Sequence, residues 1–170
     1  MTYSRDLLAQ ARTLARLEPK RPKQASLRRA VSTAYYALFH GLTTDAAQAM
    51  LPGNTVRTLR VSFRRAFTHT TMRKAANAFR GGNPPNALHD GLAFQPISKD
   101  LRKIAEVFIE LQEARHEADY DMSRLFTRRE ALDAVERAEQ ALSSWKSLRN
   151  TLEGKAFLVG LLLHDKIAGR

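Results

Sequence analysis

Six of the seven side chains in the segment RHEADYD, at 115–121, can carry charge or exchange a proton. An arginine binds anions, and a histidine exchanges protons near neutral pH. Carboxylates and a tyrosine close to them can orient such groups by hydrogen bonding. The segment therefore indicates either a solvated helix surface or a polar site, and the direction in which each side chain faces decides between them.

A metal site is the first chemical alternative. HEADY, at 116–120, differs from the zinc motif His-Glu-x-x-His because Tyr120 stands at the second histidine. The remaining histidines, at 40, 69, 89 and 164, have no metal-ligand spacing, and the chain has no cysteine. It also lacks a P-loop and the glycine pattern of dinucleotide-binding folds. We expect no metal and no cofactor.

The apolar period before the motif predicts which residues face inward. At 100° per residue, one stripe contains Leu101, Ile104, Ala105, Phe108 and Leu111, and its continuation contains Gln112, Arg115, Asp119 and Met122. Glu113, Glu117 and Asp121 point outward, and His116 flanks the stripe. We expect an inward ion pair between Arg115 and Asp119, because a buried charge without a partner costs several kcal/mol. Such a pair serves either structure alone or a functional site.

The elements that carry the motif are predicted to be helices only. Apolar periods of 3.6 residues, separated by breakers, predict helices at about 4–17, 26–50, 55–80, 98–121, 127–152 and 155–166. Asn54 or Thr55, Ser98 and Thr127 are the expected N-caps, the last in a Thr-x-x-Glu capping box, and Gly154 separates the last two helices. Residues 81–97 form a long loop, functional or disordered. The fold class is all-α, an antiparallel up-and-down bundle in a single domain, 1–170, with its core in about 4–152.

Charge indicates a polyanionic partner. The 170 residues contain 28 lysines and arginines against 17 acids, a net charge of +11. Such a surface favours RNA, DNA, a nucleotide or an acidic protein, although it also serves solubility. The predicted third helix carries Arg57, Arg60 and Arg64 on one face, a cationic ridge suited to phosphates, with further cations at Arg65, Arg73 and Lys74.

No signal peptide or membrane span is expected. The N-terminal segment is charged throughout, and the most apolar run, at 156–163, is 8 residues long, against roughly 20 for a bilayer. We expect a cytoplasmic protein that does not contact a membrane.

The second predicted helix has an apolar face with Leu27 and Leu38 and carries Tyr36 and Phe39 on the opposite side. This pattern indicates burial on both sides, deep in the bundle or in a homodimer.

Three segments resemble the HEPN-domain family. SLRRAVSTAYYALFHGL, at 26–42, is similar to the family's Arg-Arg-Ala-x-x-x-Ala-Tyr-Tyr-Ala-x-Phe-His helix. RHEADYD, at 115–121, resembles the Arg-x-x-Ala-Asp-Tyr version of its later polar motif, and RRAFTHTTMRKAANAF, at 64–79, resembles an insert of one branch. The similarity spans most of 4–150.

The resemblance implies an antiparallel helical bundle that dimerises with the polar motif at or near the two-fold cleft. Many members of the family are ribonucleases, often toxins or antiphage effectors, and several pair with a minimal nucleotidyltransferase. Active members have a histidine four to six residues after the motif arginine. Here Tyr120 stands five residues after Arg115, and His116 follows that arginine directly.

Two hypotheses result. In the first, a homodimeric HEPN-like protein binds RNA or a nucleotide and is a weak or partner-dependent, metal-independent ribonuclease of toxin–antitoxin or defence type. Arg115 then contacts phosphate, His116 is the acid–base group, and Asp119 and Tyr120 orient them. In the second, the chain is a non-catalytic adaptor or antitoxin-like subunit that docks a nucleotidyltransferase or another acidic partner. The inward Arg115 favours the first, and the missing downstream histidine favours the second.

Overall fold

The computed structural model describes residues 2–93 and 95–168, which form seven α-helices, one turn of 3₁₀ helix and no strand. The helices are α1 (Thr2–Arg16), α2 (Gln24–Met50), α3 (Arg57–Arg64), α4 (His69–Arg80), α5 (Lys99–Tyr120), α6 (Arg128–Leu148) and α7 (Leu152–Ile167), and the 3₁₀ turn is Asn86–Leu88. The predicted all-α class is confirmed for the described residues.

The chain divides into two compact units. The first comprises Met1–Gly41 and Val107–Leu142, and the second comprises Leu42–Glu106 and Ser143–Arg170. The boundaries fall inside α2, α5 and α6, so each of these helices contributes to both units. The single domain over 1–170 stays a prediction.

The first unit buries the apolar stripes of its helices. Leu8, Ala11 and Ala15 recur at three- and four-residue intervals on α1, and all three are buried. On α5, Phe108 and Leu111 are buried, as the angular assignment predicts. This stripe leads directly to Arg115, so the core determines the orientation of the polar motif.

Helix α2 is buried on both sides, as predicted. In its first-unit part, Leu27, Tyr35 and Leu38 are buried on the main apolar side, and Phe39 is buried on the other. Phe39 lies in ring contact with Tyr35, with centroids 6.0 Å apart. Because the protein's own chain covers these rings, the two-sided pattern does not require a second copy, and the homodimer stays a prediction.

In the second unit, aromatic side chains form the centre of the core. Trp145 is fully buried, and its Nε1 donates a 2.9 Å hydrogen bond to Oδ2 of Asp45. The ring of Phe157 lies 6.0 Å from that of Trp145 and 5.0 Å from that of Phe79. Trp145 and the apolar run of α7 therefore contribute to this core.

Two of the predicted N-caps are confirmed. Ser98 Oγ accepts a hydrogen bond from the Leu101 amide at 3.2 Å, in front of α5. The capping box in front of α6 is also formed: the Glu130 amide donates to Thr127 Oγ1 at 3.2 Å, and the Thr127 amide donates to Glu130 Oε2 at 2.7 Å. The local sequence pattern therefore identifies where these two helices begin.

The capping box predicts a specific pH dependence. Hydrogen bonds from Arg124, and from the backbone and side chain of Thr127, lower the pKa of Glu130 from 4.5 to about 2. Because the folded-state pKa is the lower one, Glu130 stabilises the folded protein above pH 4.5, and that contribution is lost as the pH falls toward 2. We expect Glu130→Gln to cost about 1 kcal/mol at pH 7, since water screens a side chain that is 40% exposed.

Urea unfolding at several pH values checks this expectation. The stability difference between the parent and Glu130→Gln should shrink between pH 5 and pH 2. Glu136→Gln, which removes an exposed glutamate from the same helix, is the matched control and should have little effect at any pH. A Glu130→Gln deficit that stays constant down to pH 2 contradicts the assigned role.

Several predicted helix boundaries are wrong. The predicted third helix is two helices, α3 and α4, because Thr68 adopts an extended backbone conformation and caps a new helix by accepting from the Thr71 amide at 3.2 Å. Val56, not Asn54 or Thr55, precedes α3, and no side chain caps it.

The end of α6 and the start of α7 also differ from the prediction. Helix α6 ends at Leu148, and α7 begins at Leu152, with Thr151 Oγ1 as the cap that accepts from the Gly154 amide at 3.1 Å. Gly154 thus lies within the first turn of α7, where a Cβ would overlap the Leu148 carbonyl. Close backbone contact, and not helix termination, explains this glycine.

Residues 81–93 and 95–97 are irregular apart from the 3₁₀ turn, in agreement with the predicted loop. Buried side chains anchor it: Pro84, Pro85, Leu92 and Ile97. Gly82 has a φ of 75°, which favours glycine. Four side chains of the loop are therefore buried within the second unit.

Candidate functional site

Arg115 lies in the last turns of α5 and forms the predicted ion pair. Its Nε lies 2.8 Å from Oδ2 of Asp119, one turn further along the helix. The two side chains are only 16% and 27% exposed, so both sit at the edge of the apolar stripe. The inward orientation of both residues is confirmed.

Helix α2 supplies the other partners of this pair. Arg115 Nη2 donates to the Tyr36 hydroxyl at 3.1 Å, and Ser32 Oγ donates to Asp119 Oδ2 at 3.4 Å. Burial by itself lowers the pKa of Arg115, but the hydrogen bond to Tyr36 and the neighbouring acidic groups outweigh it and raise that pKa. Arg115 is therefore a fixed cation. Its Nη1 takes part neither in the ion pair with Asp119 nor in the hydrogen bond to Tyr36.

Aromatic rings surround the guanidinium. Its central carbon lies 5.7 Å from the centroid of the Tyr36 ring and 5.4 Å from that of the Tyr120 ring, within cation–π range. His40, on the next turn of α2, stacks on Tyr36 with centroids 6.0 Å apart. His40 is thus in ring contact with another residue of α2.

His116 and Tyr120 form the exposed side of the site. Both side chains are exposed, and their ring centroids lie 5.0 Å apart. The angle of His116 on α5 places it beside the stripe, as expected, and its side chain is exposed there. The structure therefore brings together Arg115, His116, Asp119 and Tyr120, with the ion pair half-buried and the two rings accessible.

Met122 does not continue the apolar stripe. It is 79% exposed, because α5 ends at Tyr120 and the helical angle no longer applies beyond that residue. Asp121 closes the turn by accepting from the amide and hydroxyl of Ser123 at 2.9 and 2.6 Å, and these bonds lower the pKa of the Asp121 carboxyl. Met122 and Leu125 consequently project into solvent from a turn with fixed geometry.

Arg28 is a positioning residue that the sequence interpretation missed. Its guanidinium on α2 donates to four carbonyls at the end of α5, those of Glu117, Ala118, Asp121 and Arg124. Three of these bonds measure 3.3, 3.0 and 2.9 Å. Carbonyls at a helix C-terminus lack partners within the helix, so Arg28 caps α5 and holds the turn that follows the site. The sequence feature that could have identified Arg28 is its position in the Arg-Arg pair at 28–29.

The predicted cationic ridge belongs to the second unit and is only partly available to a ligand. Arg57 and Arg65 are exposed. Arg60 donates through Nε to the Leu51 carbonyl at 2.8 Å, and through Nη2 to the Gly53 carbonyl, so it stabilises the loop before α3. Lys74 forms a 2.7 Å ion pair with Asp165.

Of the other predicted ridge cations, Arg64 and Arg73 are half-buried, and both have interactions within the chain. The two exposed arginines, Arg57 of the ridge and the further cation Arg65, therefore carry the charges most accessible to a phosphate.

Within residues 2–93 and 95–168, no group of three or more histidines, aspartates or glutamates could hold a metal ion. In the same part of the chain, no helix combines the length and the apolar character that crossing a membrane requires. No protein-family model, curated protein or solved structure matches this chain, so the site is characterised by its own geometry and chemistry.

Proposed function

We propose that this chain is a HEPN-like helical protein that binds RNA or a nucleotide at the Arg115 cluster. The main support is the geometry of Arg115, a cation held by Asp119 and Tyr36 next to two exposed rings. A guanidinium with one fixed edge can offer the other to a phosphate, and exposed rings can stack on a base. The net charge of +11 favours the same class of ligand.

The proposed reaction is metal-independent RNA cleavage, weak or dependent on a partner, of toxin–antitoxin or defence type. His116 is the acid–base group, because its ring is exposed and accessible to a bound strand. Arg115 stabilises the charge that develops on the phosphate, and Asp119 and Tyr120 orient these two residues. The protein is proposed to act as a homodimer in the cytoplasm.

A non-catalytic adaptor is the second candidate, favoured by the exposed apolar turn after α5. Tyr120, Met122 and Leu125 are large and exposed, while Arg28 and Asp121 hold their backbone in place. Rigid exposed apolar side chains are typical of protein interfaces, because ordering them on binding costs little entropy. The proposed partner is a minimal nucleotidyltransferase or another acidic protein.

Salt-dependent binding tests the RNA-binding proposal. We expect the affinity for a mixed-sequence single-stranded RNA to fall steeply with salt. Because Arg57 and Arg65 are exposed, the double variant Arg57→Gln, Arg65→Gln should retain the fold. It should weaken binding and flatten the slope of log affinity against log salt by about 0.7 for each lost phosphate contact.

The matched control also removes two positive charges, but from exposed positions outside the ridge. Arg16 and Arg129 are also exposed and lie outside the ridge, so Arg16→Gln with Arg129→Gln should leave the slope close to that of the parent. If both pairs flatten the slope equally, the ridge is not an interface. A parent protein without salt-dependent RNA affinity contradicts RNA binding and leaves the adaptor as the favoured function.

A further inference from the structure

The second unit contains an apolar groove of about 260 Å³ between the end of α2, the segment around α3, and α7. Its floor consists of buried side chains, namely Ala46, Phe67 and Leu158. Its walls are half-buried and include Phe63 and Leu162. The groove therefore has a formed hydrophobic interior and is more than a shallow surface depression.

The mouth of the groove leaves apolar surface in contact with water. Met50 and Leu163, which line it, are 57% and 40% exposed. Among the ten described residues that line the groove, Lys155 is the single charged one, and its side chain is exposed. The nine apolar residues favour a ligand with an apolar body, and the lysine favours a negatively charged end on that ligand.

We propose that this groove binds one linear fatty-acid carboxylate of about eight to ten carbons, independently of any RNA bound by the chain. At the roughly 30 Å³ that a water molecule occupies in the liquid, the volume holds about nine groups of methylene size. The chain lies between Phe63 and Leu158, and the carboxylate faces Lys155. A polar ligand is disfavoured, because the interior offers no groups to replace its hydrogen bonds with water.

The dimensions also favour an acyl chain over a helix. A helix with its side chains is about 10 Å across, so only a few side chains of one face could enter a groove of this volume, whereas an extended acyl chain can lie inside it. Helix α3 buries no side chain, so the wall that carries Phe63 can adjust to a ligand at little cost in packing.

Calorimetric titration of the whole protein with hexanoate, octanoate, decanoate and tetradecanoate tests the proposal. Each added methylene should strengthen binding about three- to four-fold up to about ten carbons and then cease to help, because longer chains leave the groove. Octanol, which lacks the charge, should bind about five-fold more weakly than octanoate.

Three variants make the test specific. Ala49→Phe places a ring at the mouth from an exposed position, so it should fold and should weaken octanoate binding ten-fold or more. Lys155→Gln should reduce octanoate affinity to that of octanol without changing octanol binding. Lys146→Gln removes an exposed lysine of α6 that does not line the groove, and it should change neither.

Equal octanoate affinity in the parent and Ala49→Phe overturns the proposal, as does affinity that continues to rise through tetradecanoate. Light scattering on the same variants identifies the alternative occupant. If octanoate does not bind and Ala49→Phe converts a dimer to a monomer, the groove covers a second copy of the chain and the ligand assignment is wrong.

Discussion

Replacing Arg28 with alanine is expected to destabilise the protein by about 2–3 kcal/mol. The side chain donates to four carbonyls around the end of α5, and hydrogen bonds from a charged donor contribute roughly 1.5–3 kcal/mol. Arg28→Lys should recover little, because an ammonium group cannot span acceptors that the planar guanidinium reaches simultaneously. Urea unfolding measures both effects.

Arg29→Ala is the matched control for this change. Arg29 is the next residue on α2, carries the same charge, and is exposed. It should alter stability by no more than about 0.5 kcal/mol, as is usual for a surface substitution. If Arg28→Ala and Arg29→Ala unfold at the same urea concentration, Arg28 does not hold the end of α5.

Replacing His116 with alanine is expected to lower the rate of RNA cleavage by about 100-fold or more. That factor is the usual contribution of a positioned acid–base group, and the exposed ring of His116 is the candidate for this role at the site. RNA affinity should fall by no more than the loss of one stacking ring, roughly 1–3 kcal/mol, so the cleavage rates are compared at saturating protein. Single-turnover cleavage of mixed-sequence RNA, with and without magnesium, measures the rate.

Tyr120→Phe separates catalysis from ring packing. It keeps the ring that lies against His116 and Arg115 and removes only the hydroxyl. We expect binding to be retained, with a smaller loss of rate than in His116→Ala. Cleavage that survives His116→Ala unchanged refutes the catalytic assignment. A parent that binds RNA without cleaving it points to a binding function alone.

The parts of this fold that could be predicted from the sequence depend on local chemistry. Ser98 and the pair Thr127 and Glu130 cap helices through bonds to residues three positions away, so their sequence pattern is sufficient. The Arg115–Asp119 pair follows in the same way from an apolar stripe and a spacing of one turn. Each of these interactions is complete within one helix or its first turn.

The parts that could not be predicted depend on contacts that a helical apolar period does not reveal. Arg28 caps carbonyls about 90 positions away in the chain, and no local pattern marks such a partner. Arg60 has the spacing of a ridge residue, yet tertiary approach of the 51–53 loop takes up its guanidinium. The break at Thr68 was missed because an apolar period continues across it, while the local hydrogen bond to Thr71 ends the helix.

The most direct test of RNA or nucleotide binding at Arg115 is an affinity measurement that holds net charge constant. The double variant Arg115→Gln, Asp119→Asn removes one positive and one negative charge, so the net charge stays at +11. Long-range attraction is then unchanged, and any loss of affinity reports the local contact. The control, Arg12→Gln with Glu139→Gln, neutralises another ion pair, 2.8 Å long, in the same unit.

Fluorescence anisotropy with a labelled single-stranded RNA and with ATP, at one salt concentration, gives the comparison. The Arg115 double variant should bind at least one of the two ligands about ten-fold more weakly than the parent, the factor expected for one charge-assisted hydrogen bond to phosphate. The control should match the parent. Equal affinity of the parent and the Arg115 double variant for both ligands contradicts the proposed site.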